Sequence, residues 1–376
     1  MLAAGGRVRL APRPVPGAHT GAMGSSGGPG PGRRRRLAVL GALAVVVVAV
    51  AAVLWTRRDD GSDTATEPPE PAEEGVLPLL GTTGEVPQRA ALAVKVDATA
   101  HGRPQVGLLA ADVVFEEVVE GGLTRLLAVY HSTDPETVGP VRSARSTDLF
   151  LLAELGRPLF AWSGANPTFA AAVEAADLID VGVAAAPDAY ERSDERRAPY
   201  NLFAAPAELR AAAEGEAGAA TPPRALFTYR PEGEPLAGPG VEPAAGFTTT
   251  GAGGLATEIT WEWDEDAGAW VRTQDGTPHV DGDGDRVQAT NVLVRFTTYR
   301  DSGQRDVTGA VVPEAEPVGE GDAWLFSDGS VLRGRWQKPA EDAPTTFTTA
   351  DGAPMALAPG TTWVEVLPPG TGDVVR

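Results

Sequence analysis

The 376-residue chain has no cysteine and only four histidines. Without cysteine there can be no disulfide, no thiolate zinc site, no cysteine nucleophile and no acylated lipoprotein cysteine. His19 lies in the N-terminal tail, which leaves His101, His131 and His279. They show no HxxxH or HExxH spacing, so no metal site is expected. No GxxxxGK[ST] or GxGxxG phosphate loop occurs, and no cofactor is expected. Ser163, set between Ala161-Trp162 and Gly164-Ala165, lacks the flanking glycines of a nucleophile elbow. Positive charge is scarce as well: 31 Lys and Arg face 51 Asp and Glu, a net of −20. That balance argues against a nucleic-acid binder, which normally carries a basic surface.

The charge is unevenly spread. Met1 to Arg58 contains nine arginines and no acid, whereas from Asp59 onward 22 basic residues face 51 acidic ones, a balance of −29. Between the two lies an uncharged apolar run, Leu37 to Trp55. As a helix rising 1.5 Å per residue it is about 28 Å long, enough for a hydrocarbon core of ~30 Å. Arg33, Arg34, Arg35 and Arg36 precede it directly, which predicts a single-pass span at 37–55 with residues 1–36 a disordered cytoplasmic tail and the remainder outside. Ala49-Val50-Ala51 has the form of a cleavage site, but the apolar run continues past it to Trp55, so an uncleaved anchor is expected over a signal peptide. Residues 56–87, acidic and Pro-rich, read as a disordered tether.

Two folded regions of different texture follow, an α+β organisation. In 88–230, β-branched runs at Ala91–Val96, Ala111–Val119, Thr124–Tyr130 and Leu159–Ser163 alternate with helical stretches at Thr147–Leu155, Thr168–Ala176 and Pro206–Ala213. The first two helices open on a threonine suited to capping, the third on a proline suited to the first turn. This region is expected to be a mixed α/β domain. Residues 231–254, rich in Gly, Pro and Thr, read as a linker. Residues 255–370 read as a smaller, mainly β domain. Ile259, Trp261 and Trp263 alternate with polar residues there, and Ser327-Asp328-Gly329-Ser330 is a hairpin turn between two apolar runs. Six of the eight tryptophans fall in it, as expected of core indoles in a small β domain.

Two clusters are candidates for chemistry. Arg125, Arg142 and Arg145, with Ser143 and Ser146, would form a positive island in an acidic body, suited to bidentate capture of phosphate or carboxylate. Gly121-Gly122 and Gly139-Pro140 supply turns that would place backbone N–H groups beside it. Internal pairing of these arginines with Glu116, Glu117 and Glu120 is the competing arrangement. Asp112, Glu116 and Glu120, at even spacing in a strand, would share a face and are weak candidates for acid–base work. The Asp281-Gly-Asp283-Gly-Asp285 run fails as an EF-hand, since its sixth and twelfth positions are Arg286 and Val292; a solvated turn is expected.

Arg103–Tyr130 (RPQVGLLAADVVFEEVVEGGLTRLLAVY), Gly139–Arg145 (GPVRSAR) and Ala198–Asn201 (APYN) resemble, in order and spacing, the YerB-like family of bacterial envelope proteins of unknown function. Thr257–Arg272, Asn291–Tyr299 and Pro359–Pro368 resemble that family's C-terminal β domain. Family members are often lipoproteins, which implies an extracytoplasmic location. This chain departs in having an apolar span in place of a lipidated cysteine, and Tyr200 where the family typically has histidine. The expectation is therefore a non-enzymatic envelope protein, anchored in the membrane by its one N-terminal helix. It would bind a cell-wall or other anionic envelope ligand, or a protein partner, through Arg125, Ser143, Arg142, Arg145 and Ser146. The alternative is a cell-wall-active phosphotransferase or glycan hydrolase using the same arginines with Asp112 or Glu116.

Overall fold

A computed structural model describes residues 74–306, 308–341 and 343–376. The basic tail, the apolar run 37–55 and the first part of the tether lie outside them. Among the described residues no helix is long and apolar enough to cross a membrane.

The N-terminal half supplies β1 (Leu92–Asp97), β2 (Val113–Val118), β3 (Thr124–Tyr130), α1 (Ser146–Leu152), β4 (Leu159–Ala161), α2 (Pro167–Ala175), β5 (Ile179–Asp180) and α3 (Pro206–Ala212). Apart from one 3-10 turn at Ala252–Gly254, the C-terminal half is built of strands, chiefly β6 (Gly246–Thr249), β7 (Ile259–Asp264), β8 (Ala269–Gln274), β9 (Asn291–Phe296), β10 (Tyr299–Arg305), β11 (Val311–Ala315), β12 (Gly319–Ser327), β13 (Ser330–Lys338), β14 (Thr346–Thr349), β15 (Thr362–Leu367) and β16 (Gly372–Val375). The fold is thus mostly β with a few short helices. Threonine does not cap either of the first two helices. Asn166 caps α2, its Oδ1 accepting the Phe169 N–H at 2.9 Å. At α1 the Asp148 carboxylate accepts the Arg145 N–H at 2.7 Å, while Thr147 turns away and its Oγ1 accepts the Ala315 N–H at 3.1 Å.

The halves meet inside one eleven-stranded sheet. Its order is Glu242–Pro243, β13, β12, β9, β15, β2, β3, β1, β4, β5, with β14 also on β13. The seam between halves is the parallel pair β15–β2, which places Glu365 opposite Glu116 and Trp363 opposite Val114. Strands in the middle of such a sheet are covered on both faces, which is why β2, β3, β9 and β15 are buried along their whole length. On one face Val114, Leu126, Tyr130, Val292 and Trp363 pack against Phe247, Ile259, Trp261 and Trp270 of a second, six-stranded sheet built around β6, β7, β8 and β16. On the other face Phe115, Leu127, Val129 and Val364 meet Leu151 and Leu152 of α1 and Val173 of α2.

Two sequence expectations are corrected here. The segment 231–254 is not a bare linker: it carries Glu242–Pro243, paired with β13, and β6, a strand of the second sheet. The tether does not extend to Pro87. Residues Glu74–Val76 and Thr83–Glu85 form a hairpin, Leu79 is buried, and the Tyr229 hydroxyl donates to its carbonyl at 2.6 Å. The apolar Val76-Leu77-Pro78-Leu79-Leu80 inside the acidic stretch drives that docking. Of the C-terminal tryptophans, Trp261, Trp270, Trp336 and Trp363 are buried, and Trp263 and Trp324 are half-buried.

Candidate functional site

The segment Gly139–Arg145 runs on beyond the end of β4. Val141 bridges Val96, the Arg142 N–H donates to the Lys95 carbonyl at 2.8 Å, and the Ser163 N–H donates to the Arg142 carbonyl at 2.9 Å. This pinned path brings Arg142 and Arg145 to Arg125, which opens β3. Arg125 is 8% exposed. It makes one hydrogen bond, from Nη1 to the Ser143 carbonyl at 3.1 Å, and no ion pair among the described residues. Burial first, and then the charges of Arg145 and Arg142, lower its pKa to about 10 against the opposing pull of Glu120 and Asp97.

Its neighbours are paired along part of their donor edges. Arg142 Nε lies 2.9 Å from Asp97 Oδ2, and Arg145 Nη2 lies 2.7 Å from Glu120 Oε1. Arg145 Nε and Ser146 Oγ are buried without a hydrogen-bond partner. The Arg142 guanidinium also sits over the Tyr200 ring, 5.2 Å from its centroid, and Tyr200 stacks on exposed His101 at 5.2 Å. Behind the arginines, Lys95 Nζ is wedged between Glu117 at 2.5 Å and Asp148 at 2.7 Å, all three buried. Burial, and then the Asp148 charge, push the Glu117 carboxyl up to about 7 against the pull of Lys95. Lys95, Asp97 and Asp148 were not among the residues the sequence marked. Their signal was a lysine inside the apolar run ALAVKV.

The glycine turns do not donate to this site. Gly122 instead accepts the Ala256 N–H at 2.7 Å and the Thr257 N–H at 3.2 Å, docking the C-terminal half. The Gly139 N–H is spent on the Val106 carbonyl. Substitution at Gly122, whose φ is +74°, would drive a Cβ to 2.0 Å from the Gly254 carbonyl oxygen.

Asp112, Glu116 and Glu120 do not share one strand face or one site. The strand ends at Val118, and each carboxylate has its own partners. Asp112 Oδ2 accepts the N–H groups of His131 (2.7 Å) and Ser132 (2.9 Å), and Ser132 Oγ donates to its other oxygen. Glu120 belongs to Arg145. Glu116 is fully buried and accepts from Arg272 Nη2 through both oxygens at 2.8 Å, from Thr124 Oγ1 at 2.6 Å and from Trp363 Nε1 at 3.1 Å.

Arg272 reaches Glu116 from the second sheet and is the centre of a polar network that sequence inspection did not find. Its Nη1 donates to Gln274 Oε1 at 2.9 Å and to His279 Nδ1 at 2.8 Å, which leaves the His279 Nε2–H to donate to Gln105 at 2.7 Å. Burial first, and then the Arg272 charge, hold His279 well below its usual range, so it is neutral. Glu365, beside Glu116 in the sheet, accepts from Trp261 Nε1 at 2.8 Å. Burial, and then the Glu116 charge, push it well above the usual carboxylate range, so Glu365 is held in its neutral form beside the Glu116–Arg272 pair. This network is sealed between the sheets and welds the halves together.

Asp281 also departs from expectation. It is buried rather than solvated, and its Oδ2 accepts the Gly107 N–H at 3.2 Å. Among the described residues no group of three or more His, Asp or Glu side chains is placed to hold a metal ion.

Family models describe the same two regions. The N-terminal domain of a protein of unknown function (DUF3048) matches residues 79–219, and the corresponding C-terminal domain matches 253–364. The chain is 29% identical over 315 residues to the putative lipoprotein YerB of Bacillus subtilis (strain 168), covering 80% of this chain and 88% of that protein. The crystal structure of YerB from Bacillus subtilis matches the fold with a TM-score of 0.67 at 25% identity, over 80% of this chain and 99% of that one.

Proposed function

We propose that this chain, which belongs to the DUF3048 or YerB-like family, is a membrane-anchored envelope protein that holds an anionic ligand at Arg125, Arg142 and Arg145. Envelope association is supported by the similarity to a putative lipoprotein. In this chain the apolar run 37–55 would take the place of the lipid, with the folded part outside. The observation that carries the ligand reading is Arg125, a buried guanidinium with two further arginines beside it and no direct ion pair among the described residues. Leaving such a charge unpaired is costly, typically several kcal/mol, and a site that tolerates it gains when an anion arrives. The enzymatic alternative draws no support from Asp112 or Glu116, whose oxygens are already taken by internal donors.

The test is a thermal-denaturation series on the full chain in neutral detergent, with muropeptide, polyprenyl phosphate and polyphosphate at constant ionic strength. At least one anion raises the midpoint of the wild-type protein. The rise disappears in the Arg142→Ala/Arg145→Ala protein. A wild-type midpoint unmoved by every anion would overturn the reading.

A further inference from the structure

We infer that the group bound at this site is a phosphoryl group rather than a carboxylate, an inference that rests on the anion-binding reading above. The argument is a census of donors. Asp97 meets Arg142 through Nε, and Glu120 meets Arg145 through Nη2. One guanidinium per carboxylate is the usual stoichiometry, because two planar oxygens match one guanidinium edge. The site has a third guanidinium, Arg125, with its Nη1 on the Ser143 carbonyl and no bond from Nε or Nη2. The other two are not exhausted. Arg145 spends Nη1 on the Ala144 carbonyl at 2.8 Å and keeps a buried, unpartnered Nε, and Ser146 contributes a buried, unpartnered hydroxyl. Arg142 spends Nη1 on a long 3.5 Å contact to the Pro199 carbonyl and has no bond from Nη2.

The unused donors are therefore spread over three guanidinia from two chain segments, with a hydroxyl beside them. A carboxylate, with two oxygens in one plane and one charge, fills at most one guanidinium edge and leaves the others bare. A phosphoryl group carries three or more acceptor oxygens arranged tetrahedrally and up to two negative charges. It can accept from Arg125 Nε and Nη2, Arg142 Nη2 and Arg145 Nε at once. Arg125, Arg142 and Arg145 against Asp97 and Glu120 leave one positive charge, which favours an anion of either kind; the number and spread of donors distinguishes the two. On the flank, the Arg142 guanidinium lies over the Tyr200 ring, and Tyr200 stacks on His101. The exposed imidazole of His101 then borders the space where the organic part of a phosphate ester would lie.

The experiment uses the full chain in neutral detergent at fixed ionic strength and low-millimolar anion. The probes are inorganic phosphate, pyrophosphate, glucose 1-phosphate, dihexanoyl phosphatidic acid and the dicarboxylate succinate. Phosphoryl probes raise the denaturation midpoint of the wild-type protein and succinate does not. The rise is lost in Arg125→Met, which keeps the volume and apolar stem of the side chain while removing its charge. Arg142→Gln, at a more exposed position, serves as a second variant should Arg125→Met fail to fold, and reduces the rise. Stabilisation by glucose 1-phosphate alone identifies a soluble ester, and by the phosphatidic acid alone a lipid headgroup; both support the inference. Equal stabilisation by succinate overturns the phosphoryl assignment and leaves the anion site standing. No response to any probe overturns both.

Discussion

Glu117 and Glu365 are both buried carboxyls that favour their protonated form, for different reasons. Glu117 shares Lys95 with Asp148, so one cation serves two acids. Its carboxyl titrates near 4.5 when the chain is unfolded and near 7 in the fold. Below 4.5 the contribution to stability is fully present, and it is lost as pH rises through 7, because the folded state then has to release a proton it holds more tightly than the unfolded chain does. Glu117→Gln is expected to be more stable than wild type at pH 8, with the difference shrinking towards pH 5; urea denaturation at the two pH values measures it. Glu365 sits beside Glu116, and only one guanidinium serves both. Glu365→Gln replaces a protonated acid by its neutral isostere and is expected to shift stability by no more than about 1 kcal/mol. Glu116→Gln strips Arg272 of its counter-ion in a sealed layer and is expected to cost about 3–5 kcal/mol. If the two variants proved equally damaging by denaturant titration, the assignment of the single negative charge to Glu116 would be wrong.

Elements were legible in the sequence where one local rule dominated. The runs read as strands at 91–96, 111–119 and 124–130 form β1 (92–97), β2 (113–118) and β3 (124–130), because apolar, largely β-branched residues fill both faces of a central sheet. The Asp328-Gly329 turn has both residues at positive φ, 50° and 64°, which fits the two-residue hairpin joining β12 and β13. Helix starts were less legible, since the cap belonged to Asn166, one residue before the proline, rather than to the threonine after it. Asn166→Ala is expected to destabilise the protein by about 1 kcal/mol, read as a lowered urea midpoint with unchanged slope. The arginine motifs were visible as motifs, but Asp97 and Lys95 were hidden in a run that reads as plain strand. Arg272 was hidden further, because only the stacking of the second sheet on the first puts it opposite Glu116, 156 positions away.

At the scale of the whole molecule, texture suggested two regions, and the hydrogen bonds unite them. Change of composition along a chain reports local structure; it carries no information on which strands will pair across the change. The described residues form one compact unit, with β15 inserted between β9 and β2. Far-ultraviolet dichroism and tryptophan fluorescence should therefore give coincident denaturation curves with one midpoint. Eight tryptophans make the second probe sensitive: Trp162 reports on the N-terminal half, and Trp261 and Trp363 report on the network between the sheets. Two resolved transitions would contradict the single unit.

The seam has a consequence in time. Glu116 and Trp363, which touch in the finished protein, are 247 residues apart in the order of synthesis. At ~5–20 residues per second the ribosome needs on the order of tens of seconds to deliver the second after the first. Throughout that interval β2 has an open flank and the sheet under the arginines is unfinished, and for its first 156 residues Glu116 has no Arg272 either. The nascent chain therefore depends on the free edge of β2 being kept from other strands until β15 has been made.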